Sequence, residues 1–152
     1  MPNGIYHLGR PTNFYQPSKP TIKMKFNKDM WEIVRLGEVC EKIKTIDYRK
    51  QQGIFHHIDI GSVDSNSKRI AEIQEIDWID ASSRATQVIK KDDTLFSTVR
   101  VNLERIALID KEISNGIDST GFTIIRANKK ANPEYLFYSV SSPIFIEKLC
   151  LP

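Results

Sequence analysis

Lys90-Lys91-Asp92-Asp93-Thr94-Leu95-Phe96-Ser97-Thr98-Val99-Arg100-Val101-Asn102-Leu103 reads as a polar turn that feeds a strand. Residues 86–89 before the turn and 94–99 after it are short and rich in β-branched or aromatic side chains, which suit a pleated, half-buried surface. Outward from this turn, 70–73, 106–110 and 122–126 carry the same signal. Ile54, His56, Ile58 and Ile60 alternate with Phe55, His57 and Asp59 at the period of a strand that stops at Gly61. Towards the N-terminus, Leu36, Val39, Cys40 and Ile43 stand at the i, i+3, i+4, i+7 spacing of an amphipathic helix. Towards the C-terminus, Asn132 is placed to cap a helix beginning at Pro133 with Leu136, Phe137 and Val140 on its apolar face. Ser142-Pro143 repeats the signal for a second helix, expected to bury Ile144, Phe145 and Leu149. The predicted class is α+β, a mixed and largely antiparallel curved sheet with short helices at both ends.

The 152 residues, 40% of them hydrophobic, fit one domain with a real core. Residues 1–30, with Pro2, Pro11, Pro17 and Pro20, read as an extended or disordered leader, and 31–152 as the domain. Lys19, Lys23, Lys25 and Lys28 make that leader either a solvated tail or an arm tracking a polyanion. No apolar run is long enough to span a bilayer and no signal peptide is evident, so the expected compartment is the cytoplasm. Cys40 and Cys150 lack the spacing of a zinc site or a disulfide framework and are expected to be free, buried thiols.

Net charge is only +3, but it is unevenly spread. Residues 19–50 hold nine Lys/Arg against five Asp/Glu, and 51–80 hold two against six. That alternation fits a positive face beside a negative one as well as it fits an ordinary mixed surface. Catalytic constellations are missing: no phosphate-binding glycine loop, no G-x-S-x-G elbow and no H-E-x-x-H helix. Adjacent His56 and His57 point to opposite faces of a strand and read as satisfied structural histidines, while Asp92-Asp93 reads as a solvent-exposed turn. The expectation is therefore no enzyme activity, no metal and no cofactor of its own.

What remains is polar chemistry suited to base edges. Arginine pairs bidentately with guanine, asparagine with adenine, and Ser/Thr serve either. Ser82, Ser83, Arg84, Gln87, Ser97, Thr98, Arg100, Asn102 and Arg105 concentrate such groups. Arg100 and Asn102 lead, with Arg100 open to the other reading of a loop anchor bonded to backbone carbonyls. Lys68 and Arg69 suit phosphate contacts or a solvated surface equally.

Trp31-Glu32, Leu36-Gly37-Glu38-Val39-Cys40, Ser83-Arg84-Ala85, the 93–100 strand with Asn102-Leu103, Ser119-Thr120-Gly121-Phe122 and Asn132-Pro133-Glu134-Tyr135 follow one another in an order that resembles one target recognition domain of a type I restriction-modification specificity subunit. The resemblance spans about residues 31–149. It implies a DNA-binding domain reading one half of a split double-stranded target, with a methyltransferase subunit and a motor-nuclease restriction subunit as partners. S-adenosylmethionine and ATP would reside on those partners. Family members carry two such domains on one chain joined by long helices. A single one implies a half-length subunit that pairs as a homodimer, a truncated frame or a fragment. The competing expectation is a protein-interaction module that associates with methyltransferase subunits without reading DNA.

Overall fold

The computed structural model describes residues 32–150. In chain order the strands are β1 (Ile54–Ile58), β2 (Val63–Asp64), β3 (Arg69–Ile70), β4 (Gln74–Asp77), β5 (Ala85–Val88), β6 (Thr94–Ser97), β7 (Ile106–Leu108), β8 (Gly116–Ser119) and β9 (Phe122–Ile125), followed by helices α1 (Pro133–Val140) and α2 (Pro143–Cys150). The expected class is borne out: α+β, with every strand pair antiparallel except β1 with β8. The strands divide into a four-stranded sheet ordered β4-β1-β8-β5, a three-stranded sheet ordered β7-β6-β9, and the β2-β3 ribbon. The leader expected over 1–30, and its lysines, lie outside the described residues.

Alternation along the strands sorts side chains into layers. Phe96, Ile106 and Ile125 face the helices and pack with Leu136, Phe137, Val140 and Ile146. Their neighbours Leu95, Ala107 and Ile124, with Phe122, face the other way onto Ile58 and Val63. Beyond the four-stranded sheet, Phe55, Trp78, Ala85 and Ile117 form a third cluster, in which the Phe55 and Trp78 rings stack 4.1 Å apart. The three-stranded sheet is thus covered on both faces, which makes it a rigid base for the loops at its ends.

Several expectations need correction. Residues from Leu36 make one 3-10 turn (Leu36–Glu38), not an amphipathic helix. Beyond it the chain runs as a strap: Glu41 N donates to Arg126 O, Asn128 N to Val39 O and Ile46 N to Thr86 O. Val39 joins the helix-side core while Ile43 packs against the inter-sheet core, so the helical spacing serves two layers. In α2 the buried residue is Ile146, with Phe145 packed beside it, and Ile144 and Leu149 are half exposed. α1 follows its expectation, with Asn132 Oδ1 accepting from Tyr135 N at 3.0 Å. Cys40 and Cys150 are free, but Cys150 is exposed and Cys40 only partly buried.

Asp93 is the larger surprise. Instead of lying in a solvent-exposed turn it is 0% exposed. Its carboxylate takes Nε and Nη2 of Arg126, both at 2.7 Å, and Lys90 N at 2.7 Å. Arg126 also donates to Val88 O at 3.0 Å, so this pair clamps the β5–β6 turn to the end of β9. Hydrogen bonding to Asp93 raises the Arg126 pKa further above its ordinary value.

Candidate nucleic-acid interface

β6 ends at Ser97, whose hydroxyl reaches forward to donate to Val99 O at 2.9 Å. The loop that follows takes left-handed backbone at two side-chain-bearing residues, Arg100 (φ 51°, ψ 63°) and Glu104 (φ 51°, ψ 37°). Between them Val101–Leu103 makes a single 3-10 turn closed by Leu103 N to Arg100 O at 2.8 Å and Glu104 N to Val101 O at 2.9 Å. A left-handed residue with a Cβ costs about 1–2 kcal/mol and persists where its surroundings hold it. Here the holding is explicit. Glu104 meets Lys68 Nζ at 2.8 Å, and Arg105 Nη1 donates to Val63 O and, at 3.4 Å, to Gly61 O, so the loop is fastened to the β2-β3 ribbon on one side.

On the other side the turn at Thr120-Gly121 joins it to a third loop. Gly121 O accepts from Thr98 N at 3.0 Å and from Thr98 Oγ1 at 3.2 Å, while Thr120 N donates to Arg84 O at 3.1 Å. The Arg84 loop is itself closed by Ala85 N to Ser82 O at 3.0 Å and Arg84 N to Ser82 Oγ at 3.2 Å. Three loops from two sheets are therefore coupled through backbone bonds, and their exposed side chains sit on one connected rim.

That rim brings together Ser82, Ser83, Arg84, Thr98, Arg100 and Asn102, all exposed. Arg69 is exposed on β3, and Lys68 stands beside the rim with its ammonium already paired to Glu104. Three expected members are engaged within the fold, and Gln87 is one, its Nε2 donating to Phe122 O at 3.1 Å. Ser97 is 2% exposed with its hydroxyl bonded to Val99 O, and Arg105 is spent on the Gly61 and Val63 carbonyls. The loop-anchoring role left open for Arg100 falls to Arg105, and among the described residues the Arg100 guanidinium has no hydrogen-bond or ion-pair partner. Thr120 and Gly121, which tie the loops, were not among the expected site residues. Their signal is a polar residue before glycine between two strands.

The histidines divide as their strand positions require. His56 Nδ1 lies 2.6 Å from Ser114 O and Nε2 lies 3.4 Å from Glu75. His57, expected to be satisfied, is not: both ring nitrogens are buried without a partner among the described residues, and burial lowers its pKa. Asp118, in β8, is likewise buried, and neither carboxylate oxygen has a hydrogen-bond partner among the described residues. Burial, with the Asp93 charge adding to it, pushes its pKa up to about 8. No group of three or more His, Cys, Asp or Glu is placed for a metal among the described residues. An open hollow of about 530 Å³ between the ribbon and α1 is lined by Lys68, Arg69 and Tyr138 among others, with Asp110 its one acid.

No family model matches the chain. The type I restriction enzyme HindI specificity subunit of Haemophilus influenzae is 29% identical over 109 residues, which cover 70% of this chain and 23% of that protein. Among solved structures, the HsdS subunit from Thermoanaerobacter tengcongensis is 41% identical with a TM-score of 0.65, covering 69% of this chain and 27% of that one. A chain solved in work on complex assembly and conformational transition of the type I R-M system is 40% identical with a TM-score of 0.70, covering 76% of this chain and 30% of that one. This chain therefore spans between about a quarter and a third of the length of these relatives. In sequence and in fold, the resemblance to part of a type I specificity subunit is borne out.

Proposed function

We propose that this chain is a DNA target recognition domain that reads one half of a bipartite site and catalyses nothing itself. One observation carries the reading: Arg100, in left-handed backbone within a loop whose other arginine does the anchoring, presents an exposed guanidinium that has no partner among the described residues, in the same loop as Asn102. Base edges in the major groove are what such donors match, and Lys68 and Arg69 at the margin would meet phosphates. Directing a methyltransferase subunit and a restriction subunit to the site would be its purpose, with S-adenosylmethionine and ATP held by those partners in the cytoplasm. Among the described residues no helix is long and apolar enough to cross a membrane.

The test is selection from a randomised duplex library followed by binding across a salt series. The expected result is one enriched short motif, with affinity falling at least about tenfold between 50 and 200 mM salt. Uniform weak binding to every duplex would end the reading. A second reading has its own support: Tyr135 and Tyr138 on α1 and Ile144 and Leu149 on α2 are exposed, as a protein-docking face would have them. Co-purification with a methyltransferase subunit in the absence of duplex binding would favour it.

A further inference from the structure

The donors on the rim do not stand alone. Val99 is 50% exposed and Leu103 is 45% exposed, and they flank Arg100 and Asn102 in the same short loop. Val101, between them, turns inward and packs against the helix-side core, so the loop had an apolar layer available and left these two side chains outside it. Isolated apolar residues on a surface need no explanation. Here, however, the backbone beneath both is tied at several points: Val99 O accepts from Ser97 Oγ, Thr98 N donates to Gly121 O, Leu103 N to Arg100 O and Glu104 N to Val101 O. Those bonds hold the two exposed side chains in the same short loop as the donors they flank.

Base edges carry one apolar group in the major groove, the 5-methyl of thymine, and aliphatic side chains read it by contact. We propose that Val99 and Leu103 are thymine readers, so that the half-site includes at least one thymine next to the base pair that Arg100 or Asn102 contacts. This rests on the DNA-reading proposal and deepens it: donors would select by hydrogen bond, and the flanking aliphatics by a methyl group that cytosine and uracil lack. Adjacent placement in the chain requires the methyl and the hydrogen-bonded edge to lie on the same or neighbouring base pairs.

The experiment uses the full chain and the duplex motif enriched from the randomised library, prepared in parallel with deoxyuridine in place of each thymine in turn. Deoxyuridine keeps every hydrogen-bonding atom and removes only the methyl. Wild-type protein is expected to lose about three- to tenfold in affinity at one thymine position, the size of one or two apolar groups buried. Val99→Ala or Leu103→Ala is expected to weaken the thymine duplex and to bind the thymine and uracil forms equally. Both positions are exposed, and an unchanged melting temperature would confirm that the variants fold. If wild-type protein selects a motif yet binds thymine and uracil forms alike, or if both variants keep the discrimination, the inference is overturned while DNA reading stands. If no motif is enriched at all, DNA reading falls and the inference with it.

Discussion

Arg100 shows how a single backbone angle tests the site. At φ 51° a Cβ is a liability and glycine is not, so Arg100→Gly is expected to be about 1 kcal/mol more stable than Arg100→Ala in urea denaturation. Both variants lose the guanidinium, and both should lose affinity for the selected duplex by about 1–3 kcal/mol with relaxed preference at one base pair. Stability and binding would then part company at one position, as expected where strain serves a site rather than the fold. Asp118 makes a different prediction. Its pKa of about 8 in the folded chain stands above the value of 3.8 for a free side chain, so the folded state holds a proton that the unfolded state releases. That contribution is complete below about pH 4 and is lost as pH rises towards about 8. Urea midpoints should decline across this window, and Asp118→Asn, neutral throughout, should flatten the decline. His57 acts in the opposite sense: its lowered pKa means stability present above its ordinary 6.5 is lost as pH falls below it.

Between elements, the Asp93–Arg126 clamp carries the sharpest expectation. Arg126→Met leaves a fully buried carboxylate unpaired and should cost about 3–5 kcal/mol in denaturant unfolding. Replacing Asp93 and Arg126 together should cost much less, because no charge is then stranded. This clamp was illegible in the sequence, where Asp93 sits among Lys90, Lys91 and Asp92 and looks like surface. The elements that could be read were those whose signal is local. Asn132-Pro133 sets a helix start by itself, and β6 carries β-branched and aromatic residues of its own. β4 and β8 escaped for the converse reason. β4 is an edge strand with only Ile76 turned in, and β8 is a buried central strand built on Gly116, Asp118 and Ser119. A Cβ at Gly116 would lie 2.7 Å from Ile89 Cγ1, so this residue, poor in strand propensity, is chosen by its neighbour. The polar rim was legible as a cluster of residue types. Which members face out was not, because Ser97 and Arg105 are turned inward by carbonyls that only the fold brings near.

For the molecule as a whole, one sheet covered on both faces supports loops that are themselves cross-tied, so the rim should behave as a preformed surface. Binding by such a surface spends little on ordering, and the affinity of this chain alone should depend on salt more than on temperature. The parallel pairing of β1 with β8 has a kinetic consequence. It sets His56 against Gly116 across some sixty residues of intervening chain, while every element between them must find its own partner. Closing that distance is an entropic toll collected before any reward, so folding is expected on the slow, millisecond-to-second side for a domain of this size. During synthesis β1 emerges long before β8, and until then the hydrogen-bonding side it will give to β8 is vacant, an invitation to mispairing that a nascent chain must outlast.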